Sequence, residues 1–348
     1  MLLLTLACAS AIQYDTPIPA EYPWERAEPT VAQADAIAAA QAYAESEGCF
    51  SILVIEGEQI LHEAYFGGHS AQTPWPMYSA TKTFSCPLAW EAIDQGLLSM
   101  DEPAADTLTE WQGLEHKQDI RVEHLLRFTS GLESDFREMT LDGLRDPDEQ
   151  RIADKYAYAL ELPSEAPPGE QYVYGSAHLT AFGALMSRKL DGSPVAWLQD
   201  QVLDVIGMRF SGWNHDAVGN PMLSYGAWTS TPEMARFGVF LRDDGAWEGE
   251  QVVAPGLLDF CMSPTPQNPA YGVASWINGP MGETAQFPGE LGYADGPIMT
   301  PDGEDMLVAG GARGQRIYVM PERDWVVVQQ CDSRSFRDTE YLQRLLDW

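Results

Sequence analysis

The apolar positions change period along the chain, and those changes divide it into elements. Thr30-Val31-Ala32-Gln33 is a capping box that opens an alanine-rich helix ending near Gly48. Cys49 to Ile55 and Gln59 to Phe66 are strand-length runs on either side of Glu56-Gly57-Glu58, the pattern of a β-hairpin. Gly67-Gly68, Pro74 and Pro76 break the chain before a helix that runs from Ser79 to about Gln95, with Gly96 as its C-cap. Pro87 falls inside that helix and predicts a missing hydrogen bond and a kink.

From about 105 to 225 helical periods dominate, at Val122 to Phe128, Asp148 to Leu160, His178 to Leu190 and Val195 to Ile206. Thr231-Pro232-Glu233 is a helix start, with Thr231 as N-cap and proline in the first position, and it leads Met234 to Arg242 into Asp243-Asp244-Gly245. Strand periods return at Tyr271 to Ile277, Met306 to Ala309, Gln315 to Met320 and Trp325 to Gln330, and a helix over 336–347 closes the chain. This order predicts an α+β fold: one antiparallel sheet drawn from both chain ends, flanked by the first, last and Ser79 helices, with a mostly helical insert. The expected division is a start and linker over 1–29 and one domain over 30–348. Within it, a sheet subdomain spans about 30–105 and 226–348, and a helical subdomain about 106–225.

Composition narrows the function classes. The 348 residues suit one large or two intimate domains, and 45% hydrophobic content is ordinary. The formal charge of -32 is not ordinary, and it is spread along the chain. It repels nucleic acid and anionic membrane surfaces, so neither is an expected partner. Met1-Leu2-Leu3-Leu4-Thr5-Leu6-Ala7-Cys8 is shorter than the ~20 residues of a membrane span. Ala7-Cys8 after a leucine run resembles a bacterial lipoprotein cleavage site. The expectation is an exported protein, periplasmic or lipid-anchored at Cys8, with the cytoplasm as the alternative. Residues 9–29 hold Pro17, Pro19, Pro23 and Pro29 and read as an extended linker. Cys49, Cys86, Cys261 and Cys331 form no Cys-x-x-Cys pair. They read as small buried hydrophobes, with a disulfide open if the chain is exported. The six histidines show no metal-ligand spacing, and no cofactor is expected.

Three stretches carry candidate chemistry. In Ser79-Ala80-Thr81-Lys82, serine and lysine share a helical face, and a desolvated lysine can take the serine proton. The bland alternative is a helix-capping serine with a solvated lysine. Against it, the chain has only four lysines (Lys82, Lys117, Lys155 and Lys189) among 20 basic residues. In Pro167-Pro168-Gly169 to Tyr174-Gly175-Ser176, a rigid turn brings a tyrosine to a helix entrance, where it can relay a proton; a packed tyrosine with Ser176 as N-cap is the alternative. In Ala309-Gly310-Gly311-Ala312-Arg313-Gly314-Gln315, glycines at a strand edge let a ligand approach backbone N–H groups; a plain glycine-rich hairpin turn is the alternative.

Taken together and in this order, the three resemble the serine β-lactamase and penicillin-binding family, in its class C β-lactamase-related branch. That branch includes class C β-lactamases, D-Ala-D-Ala carboxypeptidases, esterases and 6-aminohexanoate-oligomer hydrolases. Ile120 to Leu132, with Phe128-Thr129-Ser130-Gly131, is similar to the family's "hLLtHTSGL" segment, and Ala227 to Gly238 to its late helix. The resemblance covers about 45–345 and implies a β-lactamase/transpeptidase-like fold. It implies that Ser79 is the acylated serine, Lys82 its general base and Tyr174 the tyrosine of a Tyr-x-Asn motif, with Ser176 in the place of the Asn. The family's Lys/His-Thr-Gly motif falls on Ala309-Gly310-Gly311, which makes the N–H groups of Ser79 and Ala312 the oxyanion hole.

Two departures shape the expected activity. Ala309 lacks the cation that receives a substrate carboxylate, and Ser176 reaches less far than Asn. Arg313 is the candidate replacement cation, with a surface arginine as the alternative. Phe128 stands where the family usually has histidine. The resemblance therefore implies a serine hydrolase of small esters, amides or peptides that uses no metal. The alternatives are a β-lactamase or D-Ala-D-Ala carboxypeptidase, and a catalytically silent ligand-binding protein.

Overall fold

Both ends of the chain contribute strands to one sheet. The computed structural model describes residues 12–13, 23–133, 152–283, 285–286 and 305–346. The main sheet contains β1 (Glu25–Arg26), β2 (Cys49–Glu56), β3 (Gln59–Tyr65), β4 (Trp276–Ile277), β5 (Leu307–Gly311), β6 (Gln315–Met320) and β7 (Trp325–Cys331). Its spatial order is β4-β5-β6-β7-β2-β3-β1, antiparallel except where β1 runs parallel to β3. The first hairpin meets the last strands through β2 and β7, with Val327 opposite Val54 and Val328 opposite Leu53. Ile52 to Ile55 and Val326 to Val328 are all fully buried. Burial on both faces explains why these strands read as continuous apolar runs without alternation.

The α-helices among the described residues are α1 (Val31–Ser46), α2 (Ser85–Asp94), α3 (Val122–Leu126), α4 (Lys155–Glu161), α5 (Ala177–Leu190), α6 (Pro194–Leu198), α7 (Thr231–Arg242), α8 (Leu257–Met262) and α9 (Asp338–Leu346). The Thr30–Gln33 capping box forms as expected. Helices α1 and α9 pack together, and α7 lies on β2, β6 and β7. Gly238 permits that approach, since a Cβ there would sit 2.5 Å from Val326 Cγ1. A smaller sheet joins Ile12–Gln13, Gly212–Trp213, Ala227–Thr229 and Trp75–Pro76. It seats the segment before Ser79 against the segment after 224, with Met77 N–H donating to Ala227 O at 2.9 Å.

Several expectations need correction. Ser79 does not open an α-helix: Tyr78–Phe84 is a 3-10 turn with Met77 as its N-cap, and α2 begins at Ser85. Pro87 therefore stands in the first turn of α2, where backbone N–H groups lack partners within the helix, and no interior bond is lost. The α7 N-cap is Ser230 rather than Thr231. The Thr231 hydroxyl instead bonds Ser51 Oγ (2.7 Å) and Gln330 Oε1 (3.0 Å) on the sheet. The strand expected over Tyr271 to Ile277 is only β4. A tight turn precedes it, with Gly272 N–H donating to Ser275 O and Ala274 in a left-handed conformation. The helix over Val195 to Ile206 is α6 followed by a π-helical turn, Gln199–Leu203. The start of the Asp148 helix, the leader with Cys8, most of the 9–29 linker and the last residue of the closing helix lie outside the described residues.

The cysteines pair, against their reading as separate small hydrophobes. Cys49–Cys331 clips β2 to β7 and Cys86–Cys261 ties α2 to α8, across sequence separations of 282 and 175. Spacing could not reveal pairs that only the sheet and helix packing bring together. Links closing long loops of this kind typically contribute about 2–5 kcal/mol. Among the described residues no helix is long and apolar enough to cross a membrane.

Candidate active site

The 3-10 turn aligns the candidate nucleophile with its candidate base. Side chains at i and i+3 eclipse in a 3-10 helix, so Lys82 lies directly over Ser79. Lys82 Nζ donates to Ser79 Oγ at 3.2 Å and to the Ser224 carbonyl at 2.8 Å. It also lies 5.2 Å from the centre of the Tyr174 ring. Lys82 is 2% exposed, and this burial pulls its pKa from 10.5 to about 7. Tyr78, just before Ser79, has φ 48, a left-handed strain for an aromatic residue at the sharp entry to the turn.

Tyr174 arrives on an extended segment whose backbone pairs with Gln286. Tyr174 N–H donates to Gln286 O (2.9 Å) and Gln286 N–H to Tyr172 O (3.0 Å). The Tyr174 ring is fully buried and stacks on Trp276, with centroids 5.5 Å apart. His178, in the first turn of α5, locks the neighbouring backbone. Its Nε2–H donates to Val173 O (2.8 Å), so its Nδ1 accepts from the Ser130 hydroxyl (2.8 Å). Burial drives the His178 pKa down to about 4 and keeps this tautomer neutral. Phe128 lies flat against the His178 ring (4.9 Å, 14°). Ser176 precedes α5 but makes no side-chain capping bond; its carbonyl accepts from Thr180 N–H and Oγ1.

The glycine strand closes the other side. Gly311 abuts the Ser79 turn, where a Cβ would lie 2.1 Å from Met77 O and 3.1 Å from Ala80 N. Antiparallel alternation then sets the direction of each N–H. Asn278 N–H donates to Met306 O, and Trp276 pairs with Val308, so the even-numbered residues face the β4 side. β4 pairs no further along than Val308, so the same alternation aims the N–H groups of Gly310 and Ala312 along the outer edge beside Ser79. Arg313 does not turn toward Ala309. It pairs with Asp332, and its charge acts on Tyr78. The structure thus gathers Ser79, Lys82, Tyr174, Gly310, Gly311 and Ala312. Ser224, His178 and Trp276 also line this site, and none of them carries a local sequence motif. Among the described residues, no group of three or more His, Cys, Asp or Glu side chains is arranged to hold a metal ion.

The fold matches known proteins. A beta-lactamase family profile covers residues 34–341, and the chain belongs to that family. A hydrolase with promiscuous acyltransferase activity, EstCE1, superposes with TM-score 0.68 at 16% identity, over 91% of this chain and 99% of that one. An octameric penicillin-binding protein homologue from Pyrococcus abyssi superposes with TM-score 0.68 at 18% identity, over 90% and 77%. Acyltransferase mokF from Monascus pilosus is 27% identical over 158 residues, 40% of this chain and 38% of that protein's length. The β-lactamase/transpeptidase-like α+β fold expected from the sequence is the fold observed.

Proposed function

We propose that the protein is a serine hydrolase that cleaves small esters or amides through an acyl-enzyme on Ser79. The observation that carries this is the buried Lys82 ammonium, hydrogen-bonded to Ser79 Oγ under the Tyr174 ring, with a pKa near 7. Neutral Lys82 takes the Ser79 proton as Oγ attacks the substrate carbonyl. The N–H groups of Ser79 and Ala312 receive the oxyanion, and losing one such donor typically costs about 10²–10³ in rate. The proton passes through Lys82 and Tyr174 to the leaving alcohol or amine, and the same pair activates the water that frees the acid.

The substrate needs no carboxylate. Ala309 offers no charge, Arg313 is paired with Asp332, and Arg316 with Asp338. This favours neutral esters and amides over β-lactams and D-Ala-D-Ala peptides. The acyltransferase relatives favour one extension, in which an alcohol replaces water as acceptor. The two disulfides favour an exported protein, periplasmic or anchored at Cys8. Intact-mass analysis after fluorophosphonate treatment tests the core of the reading. One adduct that disappears in Ser79→Ala is expected; a folded parent that takes none refutes the hydrolase and leaves a ligand-binding protein. Faster turnover of a chromogenic cephalosporin than of a short-chain ester would restore the β-lactamase alternative.

A further inference from the structure

The Gly311–Ala312 peptide is held from behind by a buried charge. Arg316 is 4% exposed and stands opposite Gly310 on β6. Asp338, at the start of α9, grips its guanidinium: Oδ1 accepts from Nε (2.5 Å) and Oδ2 from Nη2 (2.7 Å). The Tyr318 hydroxyl also donates to Asp338 Oδ1 (2.6 Å). The remaining Arg316 nitrogen, Nη1, donates to the carbonyls of Gly311 (2.7 Å) and Gln315 (2.9 Å).

In a trans peptide the carbonyl and the next N–H point in opposite directions. Fixing Gly311 O toward Arg316 therefore fixes Ala312 N–H toward the open edge beside Ser79. A cation on that carbonyl also draws electron density through the amide and strengthens the N–H as a donor. The far side of Ala312 is fixed as well. Gln315, fully buried, donates from Nε2 to Ala312 O (3.2 Å) and Cys331 O (2.5 Å) and accepts Cys331 N–H at Oε1 (3.3 Å). Cys331 is itself tied to β2 through Cys49.

We infer that Arg316, gripped by Asp338, and Gln315 are positioning residues that aim and polarise the Ala312 N–H for the oxyanion. This rests on the serine-hydrolase reading and extends it to residues that touch no substrate. The test compares a chromogenic short-chain ester with its thionoester, because an oxyanion hole stabilises oxygen far better than sulfur. Arg316→Met/Asp338→Leu removes the buried guanidinium and its carboxylate partner together, which avoids stranding either one. The expected result is a kcat for the oxygen ester reduced roughly tenfold to a hundredfold, as for a misplaced catalytic donor, with KM little changed. The thionoester should lose much less, so the preference for oxygen narrows. Gln315→Met should narrow it in the same direction, and it decides the matter if the double variant does not fold. Leu345→Ala, a core truncation in α9, is the control that loses stability without changing the preference. A folded Arg316 or Gln315 variant with the parental oxygen-over-sulfur preference overturns the inference. A parent that turns over neither ester and takes no fluorophosphonate overturns the hydrolase reading itself, and this inference with it.

Discussion

Acidification below pH 7 should switch off acylation by protonating Lys82. Its pKa is pulled to about 7 by burial, and the titratable side chains facing it are the Tyr174 phenol and the His178 imidazole. At about 1.36 kcal/mol per pKa unit, keeping Lys82 charged in this site costs roughly 5 kcal/mol relative to water. With a pKa near 7, half the molecules hold neutral Lys82 at pH 7 and about one in ten at pH 6. The rate of acylation should thus fall roughly fivefold over that single pH step. The assay is kcat/KM for a chromogenic ester from about pH 5 to 9, alongside the rate of Ser79 labelling by a fluorophosphonate. Both should show one rising limb near pH 7 and a plateau above it. Lys82→Arg, always charged, should lose about 10²–10⁴ across the range. Tyr174→Phe should lower the plateau and leave the limb where it is. A limb above about pH 9, or a flat profile, refutes Lys82 as the base. An unfolded lysine keeps its proton to about 10.5, so the unfolded state binds more protons than the folded one between about pH 7 and 10.5. Lys82 therefore makes stability rise with pH through that window.

Gly311→Ala should be severe, because its Cβ would meet the Met77 carbonyl at 2.1 Å, and backbone cannot step aside as a side chain can. Denaturant melts should show a loss of about 1–3 kcal/mol, and ester turnover should fall about 10²-fold as the Ser79 turn is displaced. His178 should produce acid instability: its pKa is lowered from 6.5 to about 4, so its contribution is complete above pH 6.5 and lost as pH falls through about 4. The expected effect is roughly 3 kcal/mol, read as the Tm difference between neutral and acid buffer, and His178→Gln should flatten it. Added salt should raise Tm, because a net charge of -32 repels itself and shortening the Debye length from about 10 Å to about 3 Å relieves that. A Tm that is flat or falls between low and molar sodium chloride would count against this.

The fold was largely legible because its central strands and helices declare themselves locally. The Thr30–Gln33 box, the hairpin around Gly57, and β6 and β7 around Pro321 all follow from nearest-neighbour chemistry. The failures sit where tertiary contacts outbid local preference. Thr231 is a good N-cap by type, but its hydroxyl is used across the interface with Ser51 and Gln330. Pro87 predicts a kink from sequence because the change from 3-10 turn to α-helix at Ser85 is invisible in a periodic pattern.

The site divides the same way. Ser79 and Lys82 are three residues apart, so one helical turn aligns them, and sequence alone could pair them. Tyr174 and the glycine strand were joined to them by order along the chain and by family resemblance, since no local rule links residues so far apart. What only the tertiary structure decided is the environment: how deeply Lys82 is buried, which carbonyl it bonds, which way each N–H of β5 points, and which arginines are already committed to carboxylates. Burial and long-range pairing depend on residues tens to hundreds of positions away. The sequence by itself therefore determined which groups could react, and the packing determined their protonation and direction.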